Sequence, residues 1–66
     1  MYILKTKGSD KIPDYVQIRD ANFSLVAHFK AKSPDRAIFK NGLSFHRIQI
    51  LELINTIPYG VLTKLD

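Results

Sequence analysis

The sequence predicts an α+β fold in which a four-stranded antiparallel sheet is followed by one C-terminal helix, in the order ββββα. Three observations lead there. Residues 15–32 hold two runs that alternate apolar and polar side chains on either side of Ala21-Asn22, the pattern of an antiparallel pair with one buried face. Residues 45–57 repeat apolar residues at helical spacing until Pro58 interrupts them. Gly8-Ser9-Asp10, Ser33-Pro34-Asp35 and Asn41-Gly42 divide the remainder into segments of strand length.

Residues 1–7 read as a first strand, with Tyr2 and Leu4 on one side and Ile3, Lys5 and Lys7 on the other. Pro13 confines pairing in the next loop to an edge. A two-residue turn at Ala21-Asn22 then sets Asp20 opposite Phe23, Ile18 opposite Leu25 and Val16 opposite Ala27. Val16, Ile18, Leu25, Ala27 and Phe29 face inward in that register, and Tyr15, Arg19, His28 and Lys30 face outward. Asn22 tolerates the left-handed backbone such a turn needs, while Ala21 suits it poorly. Residues 37–40 are expected as a short fourth strand.

Ser44 is placed to cap the helix, and Leu43 with Ile48 has the spacing of a hydrophobic staple. At about 100° per residue, Ile50, Leu51, Leu53, Ile54 and Ile57 fall within an arc of roughly 160°. That face is broader than one side of a small sheet requires, and Val61, Leu62 and Leu65 add an apolar tail. A homodimer through Ile50, Leu53, Ile54, Ile57, Val61 and Leu62 is therefore expected, the competing arrangement being a tail folded back on its own sheet.

Sixty-six residues without cysteine are expected to form a single domain, residues 1–66, with a small core and no disulfide or zinc-thiolate support. No run approaches the length of a membrane span and the N-terminus lacks a signal-peptide core, so no membrane partner is expected. The formal net charge of +4 is concentrated: Lys30, Lys32, Arg36, Lys40 and Arg47 lie between Ala21 and Arg47 against Asp35 alone. The other aspartates sit at breaks or, for Asp66, at the chain end. Such a distribution points to a polyanion, because neutralising phosphates releases counterions.

Catalysis has little support. Ser44, His46 and any aspartate form a triad only on paper, and Ser44 serves better as a cap. The two histidines and scattered carboxylates have no metal-ligand spacing, and the isolated glycines build no phosphate loop. The expectation is no enzyme, no cofactor and no metal. Lys5, Lys7, Tyr15, Arg19, His28, Lys30 and Lys32 are instead assigned to one sheet face, with Lys40 close to the helix start. Cations there track a phosphate backbone and an aromatic ring stacks on bases. His46 and Arg47 sit in the first helical turn, where the dipole disfavours positive charge and a bound anion would relieve it.

The hairpin and helix together carry a resemblance. YVQIRD at residues 15–20 is similar to the Tyr-Val-x-Val-Arg-Asp strand of the positive cofactor four family of single-stranded-DNA-binding transcriptional coactivators, and the chain more distantly resembles the Whirly proteins. LVAHFK, then GLSF at residues 42–45 and the closing Lys64-Leu65, follow in that family's order. The resemblance implies a curved sheet, dimerisation through helices, and single-stranded DNA on the outer sheet face, with Arg19 and Lys30 at matching basic positions. The chain departs from the pattern at Ala21-Asn22, where the family has an aromatic and a lysine, and at Asp14, Ser24 and Ala31-Lys32-Ser33. MYILKTKG also resembles the opening strand of the carbon-storage-regulator family, which implies RNA as a ligand.

The expected function is binding of single-stranded nucleic acid, DNA before RNA, in transcription, replication or recombination. The partners are the strand, a second copy and a transcription or replication protein. The expected location is cytoplasmic or nucleoid-associated, or nuclear in a eukaryote. The alternative is a small interaction module, such as a phage or bacterial factor, that docks on a polymerase or another enzyme through its helix and tail.

Overall fold

The computed structural model describes residues 1–65 and shows an α+β fold; Asp66 lies outside the described residues. Strands β1 (Tyr2–Thr6), β2 (Tyr15–Arg19) and β3 (Leu25–Lys30) precede helix α1 (Asp35–Lys40). A 3₁₀ turn at Ser44–His46, helix α2 (Arg47–Thr56) and strand β4 (Thr63–Lys64) complete the chain. The sheet order is β3-β2-β1-β4 and all neighbours are antiparallel. The four-stranded antiparallel sheet is as expected, but the order ββββα is not: both helices lie mid-chain and the last element is a strand.

The difference begins at residues 37–40, which are helical. Ser33-Pro34-Asp35 starts a helix: Pro34 supplies a backbone angle suited to a first turn, Asp35 complements the dipole, and the Ile38 N–H donates to the Pro34 carbonyl at 2.9 Å. Asn41-Gly42 then stops it. Gly42, at φ +70, forms a Schellman closure in which the Leu43 N–H reaches the Ile38 carbonyl at 2.8 Å and the Gly42 N–H reaches Phe39 at 3.1 Å. Ile38 and Leu43, the apolar pair that accompanies this motif, are both buried. Leu43 is thus committed to α1, Ile48 is 71% exposed, and the expected staple does not form. Nor does Ser44 cap α2 with its side chain.

Pro58 forces Ile57 into an extended conformation and α2 ends at Thr56. Gly60, at φ +77, turns the chain, and its N–H donates to the Lys5 carbonyl at 2.8 Å. The tail then folds back on its own sheet: Thr63 and Lys64 pair with Ile3 and Tyr2, and the Leu65 N–H donates to the Met1 carbonyl at 2.7 Å.

The hairpin keeps its faces and changes its register. Val16 pairs with Phe29 and Ile18 with Ala27, two residues beyond the expected partners. Ala21-Asn22 cannot supply a tight turn, so Asp20 organises a five-residue one. Its carboxylate accepts the Asn22 and Ser24 N–H groups at 2.8 and 3.0 Å, while its own N–H donates to the Ser24 carbonyl at 3.0 Å. A shift of two preserves side-chain parity, so Val16, Ile18, Ala27 and Phe29 all point inward and are buried. Leu25 does not. A bulge sets Leu25 and Val26 together against Arg19, and both are exposed.

Helix α1 packs on β3 and α2 on β1, forming a layer over the inner sheet face. Between them lies one core of Ile3, Val16, Ile18, Ala27, Phe29, Ile38, Leu43, Ile50, Ile54, Ile57 and Leu65. Ile50, Ile54 and Ile57 are consumed there, with Leu53 packed against them, so the helix face expected to hold a dimer is already covered by the chain itself. Val61 and Leu62 remain exposed.

Candidate nucleic-acid interface

Residues directly opposite in an antiparallel pair share a face, so the register defines the outer surface of the sheet. One rung crosses from Lys64 through Tyr2 to Arg19, and a second from Thr6 through Tyr15 to Lys30. Leu4, Gln17 and His28 lie between them. Each rung carries a tyrosine with a cation next to it. The two tyrosines are separated by four residues along the strands, about 13 Å at strand rise.

Each ring is braced. Tyr15 stacks on His28 with centroids 4.6 Å apart and planes at 27°. Tyr2 meets Phe23 at 4.9 Å. Phe23 reaches it from the hairpin turn by adopting φ 63, a left-handed conformation that a bulky side chain rarely takes. The Arg19 guanidinium is fixed as well. Its Nε and Nη2 donate to Gln17 Oε1 at 3.2 and 2.9 Å, and its Nη1 donates to the Phe23 carbonyl at 2.8 Å. Phe23 thus contributes a ring to one neighbour and a carbonyl to another. Strain of this kind persists only where surrounding contacts over-determine it, and it concentrates at working surfaces.

Tyr15, Arg19, His28 and Lys30 therefore sit together on the outer face as expected. Lys5 does not. It shares the inward side with Ile3, is 9% exposed, and its Nζ donates to the Ile54 carbonyl at 2.7 Å while lying 4.6 Å from the centre of the Tyr59 ring. It satisfies a carbonyl left open by the last turn of α2, and its aliphatic stem packs with the core. Lys32 lies with Lys5 beside a groove of about 830 Å³ whose wall includes Tyr59 and Asn55. Lys7 is exposed beyond β1, near enough to Asp14 to favour its ionised form. Lys40 ends α1 in the helical layer. Of the eight residues expected to bind a strand, four share the outer face and four do not.

Asp14 keeps its expected place in the first loop, and both it and Arg47 have side-chain partners. Arg47 in the first turn of α2 is paired with Asp35 at 2.8 Å, so a side chain of α1 offsets the unfavourable dipole. Asp14 accepts the Tyr59 hydroxyl at 2.6 Å and the Gly8 N–H at 2.7 Å. The Tyr59 bond first, then the Gly8 bond, hold its carboxyl below the ordinary 3.8, with the charges of Lys5 and Lys7 adding to the effect. The same hydrogen bond raises the Tyr59 phenol above 10.0. Gly8 is required at this corner because any Cβ would overlap the Ile12 carbonyl.

Tyr2, Phe23 and Lys64 were not among the expected site residues. Strand alternation does separate Tyr2 from Ile3, but only the antiparallel pairing of β1 with β2 and β4 brings it beside Arg19 and Lys64. Among the described residues there is no group of three or more His, Cys, Asp or Glu able to hold a metal ion, and no helix is long and apolar enough to cross a membrane. Comparison with known proteins returned no matching family model, no matching curated protein and no matching solved structure.

Proposed function

We propose that the chain binds single-stranded nucleic acid, DNA before RNA, across the outer face of its sheet, in transcription, replication or recombination. The observation that carries this is the pair of tyrosine rungs, Lys64-Tyr2-Arg19 and Thr6-Tyr15-Lys30, on a sheet face that no described helix packs against. A ring accepts any base by stacking, and an adjacent cation holds the phosphate that follows it. At about 13 Å the two tyrosines are far enough apart for each to take its own base. Four-stranded sheets with exposed aromatics use two or three bases in this way.

The bracing favours the same reading. Arg19 is held by Gln17 and the Phe23 carbonyl before any strand arrives, so less ordering cost falls on binding. Lys30 and Lys64 are exposed and suit a phosphate backbone of variable path. One copy of the chain supplies the whole face.

Fluorescence anisotropy with a labelled oligo-dT at rising salt tests the proposal. Contact of three cations with phosphates gives a log–log salt slope of about −2, at roughly −0.7 for each phosphate neutralised on a single strand. Absence of salt-dependent binding at low ionic strength overturns it. An oligo-U of equal length, run in parallel, separates DNA from RNA through the 2′-hydroxyl.

A further inference from the structure

The helical layer carries a second surface that the sheet face does not explain. Phe45 is fully exposed, Phe39 is 79% exposed and Ile48 is 71% exposed. Phe45 and Ile48 are three residues apart across the 3₁₀ turn and the start of α2, and so lie on one side of that segment. Phe39 is one turn on from Asp35 in α1, on the side where Asp35 pairs with Arg47 of α2. The ion pair thus ties the Asp35 side of α1 to the start of α2. None of the three belongs to the core.

The charge around them is mostly positive. From Asp35 to Glu52 the cations are Arg36, Lys40 and Arg47; Arg47 engages Asp35, and the remaining carboxylate, Glu52, lies one turn on from Ile48, so Arg36 and Lys40 outnumber it. A second copy placed face to face would oppose these cations with their equivalents. An acidic occupant meets no such penalty. The apolar side chains also stand proud of the surface, where a partner helix would need a groove to lie in. Protruding aromatic and aliphatic side chains flanked by Arg36 and Lys40 match an interface that deforms around them and carries negative headgroups.

We infer that the corner formed by α1, the 3₁₀ turn and the start of α2 docks on anionic lipid surfaces. Phe45, Ile48 and Phe39 enter the headgroup–acyl boundary, while Arg36 and Lys40 remain at the headgroups. This surface is separate from the outer sheet face, and the inference holds whether or not that face binds a strand.

The chain has no tryptophan, so Phe45→Trp introduces a single reporter. Vesicles of phosphatidylcholine with one-third phosphatidylglycerol are expected to shift its emission to the blue, and pure phosphatidylcholine vesicles are not. In co-sedimentation with the anionic vesicles, Phe45→Ser with Ile48→Ser is expected to weaken binding at least tenfold. Arg36→Gln and Lys40→Gln are each expected to weaken it roughly fivefold, from about 1 kcal/mol per cation at an anionic surface. Oligo-dT binding by these variants is expected to be unchanged, and circular dichroism confirms that they fold. No blue shift overturns the inference, and so does vesicle binding that survives the double serine change but is lost in Arg19→Ala with Lys30→Ala. A protein partner as the occupant would appear as the first of these results.

Discussion

The two faces of the sheet are made from alternate residues of the same strands, and they are built on different principles. The inner face is apolar and redundant: Ile3, Val16, Ile18, Ala27 and Phe29 share the core with residues from both helices and the tail. Among the described residues the outer face has no such layer over it and is held by few, specific contacts, the Tyr15–His28 stack, the Tyr2–Phe23 pair and the Arg19 fork. Lys5 and Lys30 show the difference within one residue type. Lys5 closes the end of α2 from inside, whereas Lys30 stands beside Tyr15 in solvent. Sheet parity, rather than charge, decides which of the two is available to a ligand.

The comparison breaks most sharply with Ile18→Ala. Ile18 is fully buried, and the change is expected to cost about 2–5 kcal/mol. A core in a chain of this length rarely supplies more than about 3–5 kcal/mol, so urea denaturation should find the variant largely unfolded. Lys5→Met comes next. It keeps the stem but leaves the Ile54 carbonyl without its donor, at about 1–3 kcal/mol of stability. Its affinity for oligo-dT should equal that of the wild type, where an outer-face lysine would lose some.

Tyr15→Ala sharpens the other side. Loss of one stacking platform is expected to weaken strand binding by about 1–3 kcal/mol, with a smaller effect on the denaturation midpoint because Tyr15 is only half-buried. Phe23→Asn tests the strained turn. Asn accepts the left-handed backbone, and that gain offsets the lost ring contact, so stability should change by less than about 1 kcal/mol while binding falls.

The smallest effect concerns the strap between the first loop and the tail. Asp14 has a folded pKa below its ordinary value, so its contribution to stability is present above 3.8 and lost as pH falls through the lower folded value. Tyr59 has a raised one, so its contribution is present below 10.0 and lost as pH rises through the higher folded value. Tyr59→Phe should flatten the change at both ends. Amide exchange at Gly60, whose N–H donates to Lys5, should accelerate in that variant at neutral pH.

Much of the inner face was legible from alternation alone. Val16, Ile18, Ala27 and Phe29 kept their side despite a register shift, because a slip of two residues changes partners and not faces. The apolar stripe of α2 was legible for the same kind of reason. Punctuation residues were ambiguous: Ser33-Pro34-Asp35 suits a turn and a helix start equally, and only the core position of Ile38 settles it. The outer face was half legible. Tyr15, Arg19, His28 and Lys30 follow from one hairpin, whereas Tyr2 and Lys64 join it through pairing of the chain's two ends. Lys5 was misplaced because a charge was expected in solvent, although Ile3 on its own side marked that side as the core.

The most direct measurement is amide chemical-shift mapping of the labelled protein titrated with oligo-dT. Shifts confined to Tyr2, Tyr15, Arg19, Phe23, His28, Lys30 and Lys64, with Lys5 and the buried positions of α2 unmoved, are the result expected of an outer-face strand binder. Saturable shifts centred on the helical layer or the groove beside Tyr59, or none at all at low salt, would contradict it.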